Sequence, residues 1–439
     1  MNSVFNLFNG QVIAEVPTST TLDFVRALQP GKIAQGQWSE TSLQDRSKIL
    51  RQIESEIKAQ AQALAQDLAR SQGLSLEFVQ QNEIEPAIRA FSAAASTEPL
   101  SGQIPKATGL IGFLGPEFQS FRFLAERISA ALMAGNGIFI GSKIENAIAC
   151  QWIKKICQPL PANLLNIFHS TENEDTNLFE VITAHPSIAG VCAMGFPKQA
   201  EKILKDTSGA WKKLQIISGY HNSALISSEA NLKEAAQALV ESCFTGMGQL
   251  HSSVSNILVT EAMLESFQGE FVSALANQQF AKSEEDNSGF GPMRISDQDR
   301  IETLWKTIRS ENGKVIFGGD IRSSKTLQVQ PLVVQDMSHC SVLQQDCLAA
   351  PVVLISPVKY VHEMFKWSNT SYYGMLAQVL GPEEKIQKFA SKLEVSRIVG
   401  ANGLSPLEAL PLGIKQSFSG NPDLHPFGSF FSDLRKIDS

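Results

Sequence analysis

Cysteine is scarce in this chain: six in 439 residues (Cys150, Cys157, Cys192, Cys243, Cys340 and Cys347), with no CxxC pair. That scatter excludes a zinc ribbon or a disulfide framework and predicts buried thiols of a reducing compartment. Charge is also thin. Asp, Glu, Lys and Arg make up 18% of the residues, no run of like charge occurs, and the net charge is −7. A nucleic-acid partner needs a basic footprint, which is missing. Missing too is any apolar stretch of the ~18 residues that a membrane helix needs. The opening MNSVFNLFNGQVIAEVP lacks a basic segment followed by an apolar one, so no signal peptide is expected and the cytoplasm is the expected address. No GxGxxG fingerprint occurs.

What is present is apolar patterning. Hydrophobic residues are 43% of a chain too long for one typical domain, so two packed domains are expected. Leu43, Leu50, Ile53, Ile57, Leu64 and Leu68 recur at helical spacing and predict a helix over 41–72, with Thr41 and Gln44 as a capping box and Gly73 as the stop. A second helix is expected over 75–95, with Pro86 marking a kink or an early end. From residue 109 the pattern alternates. Apolar runs begin near Leu110, Gly137, Leu164, Ala189 and Leu214, about 26 residues apart, with helical patterns such as 120–133 and 145–157 between them. Strands so joined form a parallel, doubly wound sheet. A second alternating block follows, with helices expected at 230–244, 261–276, 297–310 and 383–393. Its strands are expected at 257–259, 315–317, 352–356, 375–380 and 397–401. In the Gly- and Phe-rich tail, FGSFF reads as an edge strand.

Ligands of such sheets sit beyond the carboxyl ends of the strands. There the loop after Leu114 offers Pro116, Glu117 and Phe118, which suit an anion poorly, and the loop after Met194 offers Lys198 near a helix start. The segment Phe244-Thr-Gly-Met-Gly-Gln-Leu-His251-Ser-Ser is the most informative, a glycine-rich turn between a helix and a strand. His251 there reads either as a general base or as a packed loop histidine, since no Asp or Glu lies nearby in sequence to orient it. Cys243 sits in an apolar helical pattern and reads as a core thiol, as do Cys150 and Cys157 on one helix face. Ser252 and Ser253 lack a nucleophile-elbow context.

The order of several longer segments resembles the aldehyde dehydrogenase superfamily over nearly the whole chain. They are NLFNGQVIAEVP, WSETSLQDRSKIL, ISAALMAGNGIFI, LPANLLNIF, Phe290-Gly-Pro-Met, Gln330-Pro-Leu-Val-Val, Asn369-Thr-Ser-Tyr-Tyr-Gly-Met and Leu410-Pro-Leu-Gly-Ile-Lys-Gln-Ser. The resemblance implies two doubly wound parallel-sheet domains and a β arm. Residues 1–97 and 108–221 would form a Rossmann-like NAD(P)-binding-type domain, 222–423 a catalytic-type domain, and 98–107 with 424–439 an oligomerisation arm. The fit of Gly248–Val259 and of Ser419-Gly-Asn421 looks most like succinylglutamate-semialdehyde dehydrogenases.

Carried over residue by residue, the family's functional positions are altered. The nucleophilic cysteine of GQxC falls on His251, the general-base glutamate of ELGGKN on Ile217, and the oxyanion asparagine of PWNFP on Phe118. An imidazole supplies no thiolate, isoleucine moves no proton, and loss of one oxyanion donor costs about a hundredfold or more in rate. At the cofactor positions, the KPSE lysine falls on Gly141 with Lys143 two residues on. The GS of a helix start falls on Gly195 and Phe196, and the ribose-holding glutamate falls on Cys347. The resemblance therefore implies a homodimer or higher homo-oligomer, a small-molecule ligand, and NAD or NADP if any cofactor, with no metal site. Three functions compete: a pseudoenzyme acting by binding or as a partner subunit, an enzyme of other chemistry using His251 or Cys347, and a semialdehyde dehydrogenase.

Overall fold

The computed structural model describes residues 2–99, 103–116, 118–171, 178–287, 289–323, 326–400 and 413–436. Its first sheet follows from side chains alternating along short apolar strands. In Leu110–Leu114, the two end leucines enter one core while Ile111 and Phe113 enter another. In Gly137–Lys143, Phe139 points opposite to Ile138 and Ile140. The strand order is Phe418–Gly420, Lys213–Ile217, Ile188–Met194, Leu110–Leu114, Gly137–Lys143, Leu165–Ser170, and every pair but the first is parallel. Helices Thr21–Glu40, Leu178–Ala184 and Pro197–Thr207 contribute Phe24, Ile182 and Ile203 to one face. Helices Leu43–Ala59, Ala61–Gln72, Glu85–Ala95, Ser120–Met133 and Ala147–Ile156 cover the other. Burial on both faces is why these strands are apolar throughout. Strand order reverses between Leu110–Leu114 and Ile188–Met194, which opens a crevice at their carboxyl ends.

A second sheet runs Lys314–Phe317, Leu332–Gln335, Val352–Val358, Val254–Thr260, Asn222–Ile226, Leu376–Leu380, Arg397–Val399, with only the first pair antiparallel. Leu225 and Leu258 face one core, and Ala224, Ile226, Ile257 and Val259 the other. Gln103–Ala107 and Ser432–Lys436 pair as a separate antiparallel ribbon, and Asn2–Phe5 with Val12–Val16 form a hairpin. The expected α/β class with two doubly wound parallel-sheet domains is borne out. Among the described residues no helix is long and apolar enough to cross a membrane.

Several expectations need correction. The helix expected over 41–72 is two helices, broken at Gln60, where the backbone leaves the helical region (φ −112°, ψ 11°). Its cap is Ser42, whose hydroxyl accepts from the Asp45 amide, rather than Thr41; Gly73 does end the second helix in a left-handed conformation. Over 75–95 a π turn at Gln80–Ile84 separates two helical pieces, so Pro86 falls in a first turn, where a missing N–H costs nothing. FGSFF is a turn; the strand begins at Ser432. Phe418–Gly420, expected within the 222–423 span, is an edge of the first sheet. Helix Thr21–Glu40 was not anticipated because Pro30, Gly31 and Gly36 interrupt its pattern. Gly31 is needed there, since a Cβ would lie 2.7 Å from the Phe139 ring.

Candidate functional site

The carboxyl ends of the first sheet meet the amino ends of Asn222–Ile226 and Val254–Thr260, and only Ser218 to His221 link the two sheets there. The turn before Val254 is held open by three successive left-handed residues, Gly246, Met247 and Gly248, at φ 61°, 55° and 68°. Gly248 is obligatory, because a Cβ would lie 2.2 Å from the Ala350 carbonyl oxygen. Met247 carries a side chain in a conformation that costs about 1 kcal/mol or more, held in place by full burial. Two side chains from the link fix the turn. The Tyr220 hydroxyl donates to the Gly248 carbonyl at 2.6 Å. The buried Asn222 amide donates to the carbonyls of His251 and Ser253 at 2.9 Å each, and accepts from the Leu376 amide at 3.0 Å.

His251, which the resemblance sets at the nucleophile position, therefore sits on a well-built turn. Its ring lies parallel to that of Phe196, with centroids 6.3 Å apart, and tilted against Tyr220 at 5.3 Å. Only 4% of it is exposed, and among the described residues its Nε2 has no hydrogen-bond partner. Burial lowers its pKa to about 4, which the backbone at Gly195 and Ser218 only partly offsets. No carboxylate contributes to that balance. The ring is thus a neutral imidazole at neutral pH, without the acidic partner that orients a catalytic histidine.

Ile217 ends its strand fully buried, and its carbonyl accepts from the Gly195 amide at 3.0 Å, so base position and helix start adjoin. Phe118 is buried beneath the Arg294 guanidinium, 5.0 Å from the ring centroid. Just after it, helix Ser120–Met133 is capped by groups from other helices. The Gln72 side-chain oxygen Oε1 accepts from the Gln119 backbone amide, and a Glu83 carboxylate oxygen accepts from the amides of Phe121 and Arg122. Burial raises the Glu83 carboxyl to about 7. Glu117 lies outside the described residues.

The expected cofactor positions are occupied by packing. A Cβ on Gly141 would meet Leu114 Cδ2 at 2.7 Å and Ile182 and Phe179 at 2.9 Å, so no long side chain has room there. Lys143, at the end of the same strand, pairs across to Ser170. At the start of helix Pro197–Thr207 the Gln199 side chain folds back. Its oxygen accepts from the Phe196 amide at 3.2 Å and lies 2.3 Å from a Cβ built on Gly195. Pro197 has no N–H, and the Gln199 and Ala200 amides bond to the Phe196 carbonyl. The Phe196, Gln199 and Ala200 amides are thus engaged within the turn, which leaves at most the Lys198 amide for a phosphate. The residues at these positions thus offer a poor fit to the ribose and phosphate contacts that the resemblance implies.

Cys347, half-buried beside Tyr220, has its thiol pushed up to about 12, chiefly by burial. Cys150 and Cys157 are likewise pushed up to about 12 and Cys243 well above the usual thiol range, so all are poor thiolates. Ser252 and Ser253 are buried and Lys198 is exposed. Among the described residues no cluster of three or more metal-ligating side chains occurs.

Sequence reasoning passed over Tyr220 and Gln199, which show their roles only in space. It also passed over Arg122, Glu126 and Arg127. Their signal was available: three charges within the apolar helix SFRFLAERISAALM, with the two arginines now fully buried and Glu126 largely so.

A two-lobed protein with doubly wound sheets meeting at a glycine-rich turn is the class that this geometry defines. The aldehyde dehydrogenase family model matches residues 2–437, and the chain belongs to that family. It is 23% identical to 2-aminomuconic semialdehyde dehydrogenase of Bos taurus, over 98% of this chain and 93% of the relative. It is 22% identical to malonate-semialdehyde dehydrogenase of Lacticaseibacillus casei, over 97% and 90%. Among solved structures, lactaldehyde dehydrogenase superposes with a TM-score of 0.88 at 18% identity, over 99% of this chain and 95% of that one. The glyceraldehyde-3-phosphate dehydrogenase GapN of Methanocaldococcus jannaschii, complexed with NADP, superposes at 0.84 and 22% identity, over 99% and 98%.

Proposed function

We propose that this chain is a pseudoenzyme of its family, a cytoplasmic homo-oligomer that acts by binding a small molecule or by serving as a partner subunit. It does not carry out Cys-dependent, NAD(P)-linked aldehyde oxidation. The observation that carries this reading is His251, a buried, uncharged imidazole where the family chemistry needs a thiolate. Ile217 and Phe118 remove the base and the oxyanion donor from the same site, and Gly141 and Gln199 close the positions that would grip NAD or NADP. All six cysteines are free, in keeping with a reducing compartment, and the ribbon of Gln103–Ala107 with Ser432–Lys436 supplies an edge for pairing with a second copy.

The test is a dehydrogenase assay with NAD and NADP over an aldehyde panel that includes the semialdehydes for which the relatives are named. A double variant, His251→Cys with Ile217→Glu, is run beside it. The unmodified protein is expected to give no turnover. Steady reduction of either nucleotide by it would establish a divergent oxidoreductase instead.

A further inference from the structure

Away from the turn at His251, a cavity of about 260 Å³ lies against the N-terminal hairpin. Three separate parts of the chain wall it: residues 3–7 at the end of the first hairpin strand, the short helical turn Ile144–Asn146 that follows strand Gly137–Lys143, and residues 293–296. The walls are pinned. The Leu7 amide donates to the Arg70 carbonyl at 2.8 Å, fastening the hairpin to helix Ala61–Gln72, and the Met293 amide donates to the Leu327 carbonyl at 2.8 Å. Much of the lining is apolar. Val4, Ile144 and Met293 are buried, whereas Phe5 and Ile295 are 47% and 49% exposed. Large apolar side chains left open around one cavity mark a place for another apolar group.

The polar groups in the lining set the rest of the ligand. Asn6 is only 7% exposed. Its Oδ1 accepts from the Phe8 amide at 2.9 Å, which fixes the orientation of the side-chain amide, and its Nδ2 donates to no partner among the described residues. The Glu145 carboxylate forms no ion pair among the described residues. Arg294, 7% exposed, lines the same cavity while its guanidinium lies over the Phe118 ring. A carboxylate acceptor, N–H donors and apolar surface therefore share one small space. A neutral hydrocarbon would leave the Asn6 N–H unpaired, and a simple anion would meet the Glu145 charge. A zwitterion with an apolar side chain answers every part of the lining. Its ammonium suits Glu145, its carboxylate suits the Asn6 and Arg294 donors, and its side chain suits Phe5 and Ile295. The volume falls just below the roughly 300–1,000 Å³ of drug-sized sites, which suits a ligand of about ten non-hydrogen atoms. We infer that this cavity binds an apolar α-amino acid. The site is separate from the turn at His251 and stands whether or not that turn is inert. Because Arg294 borders both the cavity and Phe118, the occupant lies one side chain from the altered oxyanion position.

The experiment is calorimetric titration of the full-length protein with leucine and phenylalanine. Three analogues are titrated beside them: isoamylamine, which lacks the carboxylate, isocaproate, which lacks the ammonium, and glycine, which lacks the side chain. Saturable binding of at least one of the two amino acids is expected, with each analogue weaker by about tenfold or more. Glu145→Gln keeps the shape and removes the charge, and is expected to weaken binding about tenfold or more. Ile295→Ser changes a half-exposed position, so it is expected to fold even if Glu145→Gln does not, and to weaken binding about threefold or more through lost apolar contact. No saturable binding of either amino acid, an equal affinity for isoamylamine, isocaproate or glycine, or unchanged affinity in either folded variant would overturn the inference.

Discussion

Acidification offers a quantitative probe of His251. Its imidazole has an ordinary pKa of 6.5 and, buried against Phe196 and Tyr220, one of about 4. Between those values the unfolded chain binds a proton that the folded chain refuses, so stability is full above about pH 6.5 and falls as the pH falls. The linkage relation gives a loss of roughly 2 kcal/mol for this residue between about pH 7 and about pH 5, and roughly 3 kcal/mol below both values. His221 is equally buried with a pKa of about 4, its Nδ1 2.8 Å from the Asp346 carbonyl oxygen, and His169 is lowered similarly. The unmodified protein should therefore lose stability steeply on mild acidification, and His251→Leu should lose roughly 2 kcal/mol less over the same interval. Urea unfolding midpoints across that range, measured for both proteins, give the difference directly, because carboxylate titration is common to the two. Parallel curves would refute the placement of a buried, neutral imidazole at the site.

Asn222→Ala should cost about 3 kcal/mol or more, since it leaves the carbonyls of His251 and Ser253 and the Leu376 amide without partners, and thermal unfolding checks this. Restoring the family's lysine by Gly141→Lys should destabilise by about 1–3 kcal/mol through overpacking against Leu114, Ile182 and Phe179, with no gain in NAD affinity by calorimetry. Brief alkylation followed by mass mapping should label Cys340, the exposed thiol, well before the other five; rapid labelling of Cys347 would revive a cysteine mechanism. Light scattering should show an oligomer that dissociates when residues 432–439 are removed, and a strict monomer in the unmodified protein would count against the arm.

The fold was largely legible because its strands are short apolar runs between helices, a pattern set by burial on both faces. Leu110–Leu114 and Ile188–Met194 show this directly. Helix Thr21–Glu40 was not, because Pro30 and Gly31 are tolerated for tertiary reasons that no local signal carries: the space under Gly31 belongs to Phe139, more than a hundred residues away. The edge strand Phe418–Gly420 was not foreseen for the same reason, its partner being Lys213–Ile217. At the site, motif position singled out His251, Ile217 and Phe118 as candidates. Whether His251 was a base or a packed ring depended on Phe196, Tyr220 and the absence of a nearby carboxylate, all matters of three-dimensional neighbourhood. Arg127 lay open to reading as a charge misplaced on an apolar helix. That its Nη2 has no partner among the described residues did not, because that depends on where Gln215 and Glu126 end.

The chain passes between its two lobes at Ser218–His221 and returns to lay Phe418–Gly420 along the first sheet. The passages are stitched together: the Ser218 amide bonds to the Ser417 carbonyl, and the Ser417 hydroxyl donates to the Gly219 carbonyl at 2.8 Å. The two crossings are thus bound side by side at one place, so a displacement of one strand there is carried directly to the other.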